Sequence, residues 1–214
     1  MTTIRHAFVL ALSLTALAAF TPLIGDAGAQ NATAELVAKP MELPEMALGS
    51  AKAPVTITEY ASMSCPHCAA FEENVFPMLR SKYIDTGKVR FVFREFPLDI
   101  KAAAASMLAR CIANGDAEKY FDTIQRLFKQ QDQLMIQTTD TLKLVSKQSG
   151  MDEQAVEPCL KDQARLDELS ADQNFAFKTL KVNATPTFFI NGEMVKGAMS
   201  FEELEAKLKP LLKR

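Results

Sequence analysis

The feature that most constrains this chain is Cys65-Pro66-His67-Cys68, placed directly between a strand-like stretch and a helix-like one. Residues 55–60 alternate apolar and polar side chains as a strand does, while Phe71, Val75, Met78 and Leu79 recur at helical spacing. Residues 89–93, with Val89, Phe91 and Phe93 in phase, predict a second strand. A strand-helix-strand unit of this kind predicts parallel strands joined by a crossover. The cysteine pair then falls on the first turn of the crossover helix.

That position has chemical consequences. Residues three apart on a helix share a side, so two sulfurs so spaced can bond within one turn. Pro66 suits the first helical position, where a backbone N–H would lack a partner in any case. The unpaired amides and the positive end of the helix dipole surround Cys65, and both favour thiolate over thiol. His67, if protonated, adds positive charge; otherwise it is a solvated first-turn residue. Whatever stabilises the Cys65 thiolate stabilises the reduced dithiol and makes the disulfide a stronger oxidant. Two metal readings compete. One is half of a structural zinc site completed by Cys111 and Cys159, which the spacing opposes, because the second pair is not another Cys-x-x-Cys. The other is a Cu(I) or Zn(II) binder using the cysteine pair with Met63 as a soft ligand. The chain has two histidines, His6 and His67. Only His67 survives if the first 29 residues are removed, which excludes a Cys-His-Asp hydrolase.

Removal is what the N-terminus predicts. Arg5 and His6, an uncharged run over 7–24 and the small-residue site Ala27-Gly28-Ala29 read as a secretory signal cleaved before Gln30. An uncleaved anchor is the alternative, against which Pro22 and the cleavage site argue. The remainder, about 185 residues, can bury a core without help from metal or disulfides. The formal net charge is -2 with both signs interspersed, which points to neither a nucleic-acid nor a membrane-surface partner. Residues 30–53, with Pro40 and Pro44 and no clear periodicity, read as a leader or linker. From 100 to 181 the pattern is helical, halted at Asn114-Gly115 and Gly150, with Asp152 able to cap a short helix. Residues 187–190 and Met194-Val195 form a hairpin across Asn191-Gly192, and Ser200 with Glu203 is a capping box opening a last helix.

Export would put Cys65, Cys68, Cys111 and Cys159 in an oxidising compartment. Four cysteines allow three pairings. Closing the four-residue ring contributes only roughly 2 kcal/mol and closing the loop from Cys111 to Cys159 roughly 4, so the long loop is the better staple. Both its cysteines lie on apolar helix stripes; two separate buried thiols, or a second redox relay, remain open. Glu59 is in phase with Val55 and Ile57, hence on an apolar face where its pKa would rise and it could exchange protons with Cys68, unless the strand ends there and it is solvated. Glu72, one turn after Cys68, is a weaker candidate. For Thr185-Pro186 alone, an ordinary trans bond is the default.

Taken together, Ala53-Pro54-Val55-Thr56-Ile57-Thr58-Glu59-Tyr60, Cys65-Pro66-His67-Cys68, Phe71-Glu72-Glu73 and Thr185-Pro186-Thr187 resemble the DsbA-like family of thioredoxin-fold oxidoreductases, in its bacterial periplasmic branch. The resemblance implies an α/β thioredoxin fold with a helical insertion (100–181) between a βαβ half (54–99) and a C-terminal ββα half (182–214). It makes Cys65 the nucleophile, Cys68 the resolving cysteine, Pro186 a cis-proline facing the disulfide, and Glu59 and Glu72 acidic neighbours of the site. It is consistent with a second disulfide between Cys111 and Cys159. It further implies periplasmic action on reduced exported polypeptides, no cofactor, and reoxidation by a quinone-linked membrane partner. Thr185 departs from the valine of the best-known oxidases, and threonine there also occurs in isomerases and reductases. The tail before Pro54 is too short for an isomerase dimerisation domain, which predicts a monomer, and the final Leu-Leu-Lys-Arg is no retention signal for the endoplasmic reticulum.

Overall fold

The computed structural model describes residues 25–213. The expected signal segment lies outside the described residues up to position 24, and from Gly25 the chain is helical, in α1 (Gly25–Val37). The stretch read as a linker carries structure as well: the rest of α1, and a short strand β1 (Met46–Leu48). Three residues are too few to show alternation in a sequence. What makes β1 a strand is the open edge it pairs with, Met46 opposite Phe93 and Leu48 opposite Phe91 in antiparallel register.

β2 (Val55–Ala61) and β3 (Val89–Glu95) are parallel, with Val55 opposite Val89 and Ala61 opposite Glu95. The crossover runs through α2 (Pro66–Asn74), α3 (Phe76–Leu79) and a π-type turn at Arg80–Ile84. The helix restarts between α2 and α3 because Pro77 is compatible only with a first turn. The helical block follows as α4 (Ile100–Ala113), α5 (Ala117–Lys129), α6 (Gln131–Ile136), α7 (Thr138–Gln148), α8 (Val156–Leu160) and α9 (Gln163–Lys178). Asp99, Asp116 and Asp162 cap α4, α5 and α9 by accepting amides three residues on, and α4 stops at Asn114 and Gly115, both at positive φ. β4 (Thr187–Ile190) and β5 (Glu193–Lys196) form the expected hairpin, and α10 (Phe201–Leu211) opens with the expected capping box. Gly192 is doubly required: its φ is +87°, and a Cβ there would stand 2.7 Å from the Cβ of Ala34 on α1.

The sheet order is β1-β3-β2-β4-β5, with β4 antiparallel to the central β2. This is the thioredoxin arrangement, with the helical block inserted between β3 and β4. One face carries Val55, Ile57, Phe91, Phe93, Phe188 and Ile190 against α2 and most of the helical block, while Tyr60 and Phe189 on the other pack against Val37, Ala176 and Leu180. Phe91 lies 5.1 Å from Phe76, 6.0 Å from Phe121 and 6.5 Å from Phe71 between ring centroids, and Phe71 lies 4.7 Å from Phe188. Each buried ring contributes about 1.5–3 kcal/mol through burial alone, which seats the inner side of α2 firmly on the sheet. Among the described residues no helix is long and apolar enough to cross a membrane.

Candidate active site

The site forms where the central strand ends and the crossover helix begins. After Ala61 the chain turns over Ser62, Met63 and Ser64, held by Ser62: its Oγ accepts the amides of Ser64 and Leu98, and its carbonyl accepts the Cys65 amide at 3.0 Å. Cys65 is the N-cap of α2, in extended conformation with φ -86° and ψ 116°, and Pro66 occupies the first turn. The Cys65 carbonyl accepts the amides of Cys68 and Ala69, both at 3.1 Å, so the helix starts at this residue.

Both thiols are free, and their environments differ. Cys65 keeps 5% of its surface exposed and Cys68 none, so an incoming sulfur can reach only Cys65. The Cys65 pKa is lowered to about 5, chiefly by a hydrogen bond from the Cys68 thiol, against the opposing effect of burial. The Thr185 side chain adds further stabilisation, as do the backbone amides of Cys68 and His67, and these amides are the helix-terminus effect expected from sequence. The Cys68 thiol is pushed far up, first by burial, then by its bond to Cys65 and by the charge of Glu59. The pair is therefore asymmetric: one sulfur is an anion, the other holds its proton. His67 is exposed, and its contribution to the sulfur comes through its backbone amide.

Glu59 is fully buried on β2, as its phase with Val55 and Ile57 predicted, and Glu72 on α2 is 4% exposed. Neither carboxyl group has a hydrogen-bond partner among the described residues. Burial raises the pKa of both, and the Glu72 and Cys65 charges raise that of Glu59 further. Thr185-Pro186 is a cis peptide bond, and it brings the Thr185 carbonyl oxygen to 3.2 Å from Cys65 Sγ. The Thr185 hydroxyl, buried and without an oxygen or nitrogen partner among the described residues, is turned toward the same sulfur. Strand-helix turn, asymmetric cysteine pair and cis-proline loop thus converge on one point.

Residues 42–210 match a family model described as thioredoxin. The chain is similar to the solved structure of Wolbachia pipientis alpha-DsbA1, with 31% identity and a TM-score of 0.76 over 85% of this chain and 96% of that one. It belongs to the DsbA-like thiol:disulfide oxidoreductase family. Bacillus subtilis BdbD in its oxidised form shares the fold, with a TM-score of 0.69 at 22% identity over 79% of this chain and 94% of that one. A Rickettsia bellii relative, provisionally named a protein-disulfide oxidoreductase, is 35% identical over 150 residues, 69% of this chain. The chain spans 57% of that relative's length.

Other members of the expected set lie apart from the DsbA-like centre. Cys111 on α4 and Cys159 on α8 are joined in a disulfide, with Cα atoms 6.1 Å apart. Among the described residues, no group of three or more His, Cys, Asp or Glu side chains could hold a metal ion. One contributor escaped sequence reasoning altogether. Gln131, at the start of α6, reaches the loop before Cys65 from 66 residues away. A glutamine in a helical segment carries no local signal of such a contact.

Proposed function

We propose that the protein is an exported, periplasmic thiol-disulfide oxidoreductase that donates the Cys65–Cys68 disulfide to reduced exported polypeptides. The observation that carries this reading is the asymmetry of the pair: a stabilised, reachable Cys65 sulfur beside a buried Cys68 that strongly prefers its proton. In the oxidised protein a substrate thiolate attacks Cys65 Sγ, the Cys65–Cys68 bond breaks, and Cys68 leaves as an anion. Glu59, held protonated by its burial and an electrostatic neighbour of Cys68, gives it a proton. A second substrate thiolate then attacks the substrate sulfur of the mixed disulfide and expels Cys65. Cys65 departs readily because its thiolate is stable. The substrate ends with a disulfide, and the protein with a Cys65 thiolate and a Cys68 thiol. Glu59 regains its proton through Glu72 from solvent.

The centre needs no cofactor in this scheme. Reoxidation falls to a quinone-linked membrane partner, and the protein acts as a monomer. Pro186 borders the substrate's backbone, and the Cys111–Cys159 disulfide is structural. An isomerase or reductase with the same centre is the second reading, because the residue before the cis-proline is Thr185, and threonine there also occurs in isomerases and reductases.

Titration of the Cys65 thiolate by ultraviolet absorbance, paired with equilibration against glutathione, tests the proposal. An oxidase gives a Cys65 pKa near 5 and a potential less negative than about -200 mV. A potential near roughly -270 mV would instead make the protein a reductase. Metal bound stoichiometrically to the reduced protein, and lost when both thiols are alkylated, would point to the metal-binding alternative.

A further inference from the structure

The loop that presents Cys65 must satisfy its carbonyls within a few residues. The Ala61 carbonyl takes the Phe96 amide, the Ser62 carbonyl takes the Cys65 amide, and the Cys65 carbonyl takes the first amides of α2. The Met63 carbonyl receives no backbone N–H among the described residues. Gln131 meets this need from the helical insertion: its Nε2 donates to the Met63 carbonyl at 2.9 Å and to the Cys65 carbonyl at 3.0 Å. Gln131 is 8% exposed, so water does not dilute either bond.

We propose that Gln131 is a positioning residue for thiol exchange, fixing the direction in which the Met63–Cys65 turn delivers the Cys65 sulfur to the start of α2. The geometry explains why. Both protons of one planar amide are spent on carbonyls two residues apart, which holds the turn in a single conformation. The Cys65 carbonyl belongs to the peptide joining Cys65 to Pro66, so its orientation sets where Sγ stands relative to the amides of His67 and Cys68. Those amides are among the groups that stabilise the thiolate. Without Gln131 the turn can tilt, the sulfur drifts from the amides, and the disulfide becomes a weaker oxidant. The inserted helices thereby tune the redox centre through a single side chain that touches no reacting atom. This rests on the reading of Cys65 as the thiolate of the pair.

Gln131 also borders a cleft of about 510 Å³ with Glu72, Glu73, Lys129 and Asp132, so an alanine there would admit water as a substitute donor. Better probes are Gln131→Leu, which keeps bulk and loses both donors, and the isosteric Gln131→Glu, which donates nothing when ionised. Each is measured for Cys65 thiolate titration and for equilibrium with glutathione. The expected result for both is a Cys65 pKa higher by about one unit and an equilibrium constant shifted about tenfold toward the oxidised form, equivalent to about 30 mV. In Gln131→Glu the shift should shrink at acid pH as the carboxyl group regains a donor. Variants that melt earlier yet keep the wild-type titration and potential would reduce Gln131 to a structural anchor and overturn the proposal. A wild-type protein whose Cys65 titrates as an ordinary thiol would instead sink the underlying reading of the site, and the proposal with it.

Discussion

At the scale of single residues, Glu59 and Glu72 are the costly ones. Two carboxyl groups without hydrogen-bond partners among the described residues sit inside the protein, and the fold tolerates them by keeping them protonated. A carboxyl group whose folded pKa lies above its unfolded value contributes fully at low pH, and the contribution is lost as pH rises toward the folded pKa. Glu72→Gln should therefore match the wild type near pH 4 and become the more stable protein above the ordinary value of 4.5. The gap should grow by about 1.4 kcal/mol per pH unit until the folded pKa is reached. Urea melts of the reduced protein from pH 4 to 8 would measure it, and parallel curves would show that Glu72 is ionised in the folded state. The burial of Glu59 was legible in the sequence because alternation assigns each strand residue to a face. Its lack of a hydrogen-bond partner among the described residues was not, since that depends on every element packed over the strand.

Among elements, the helical insertion is stapled and the turn carrying Cys65 and Cys68 is not. The Cys111–Cys159 bond ties α4 to α8 across a sequence separation of 48, whereas the free pair spans one helical turn. Chain-entropy reasoning gives the long loop roughly 4 kcal/mol of stabilisation, an upper figure because unfolded chains retain structure. A Cys111→Ala/Cys159→Ala variant should lose about 2–4 kcal/mol in denaturant melts while keeping the Cys65 titration unchanged. A shifted titration would instead make the second disulfide part of the redox system. The sequence allowed three pairings of the four cysteines, and the helix stripes favoured this one. The folding of α4 against α8 decided it. β1 shows the opposite case: Pro44 and Gly49 bracket it as a loop would be bracketed, and only the edge of β3 makes it a strand.

Across the whole molecule, one buried network joins the helical insertion, the sheet and the segment before β1. Glu95 at the end of β3 accepts from Arg110 of α4 at 2.7 Å and from the Tyr120 hydroxyl of α5 at 2.6 Å, and Arg110 also donates to the Pro44 carbonyl. Burial works against the Glu95 charge, and the Arg110 guanidinium beside it overcomes this and holds its pKa below the usual range. Breaking such a pair from one side leaves an uncompensated interior charge at a cost of about 3–5 kcal/mol. Arg110→Met should show a loss of that size, and Arg110→Met/Glu95→Gln should recover much of it. A double variant as unstable as the two single losses combined would show that the ions do not act as a pair. Asp172 on α9 takes the amides of Glu42 and Leu43 and fastens the same segment from the other side. These links cover sequence separations of 15 to 130, and none has a local signature.

By itself the sequence determined the strand-helix-strand unit, the hairpin at Asn191-Gly192, the caps at Asp152 and Ser200 and the chemistry available to Cys65 and Cys68. All of these arise from side-chain spacing and backbone preferences acting over one or two turns. Only the tertiary structure decided that residues 25–48 join the fold, that Cys111 meets Cys159, that Thr185 faces the reactive sulfur and that Gln131 holds the turn beneath it. Those outcomes depend on which surfaces close over one another, and packing between distant segments leaves no periodic trace in either.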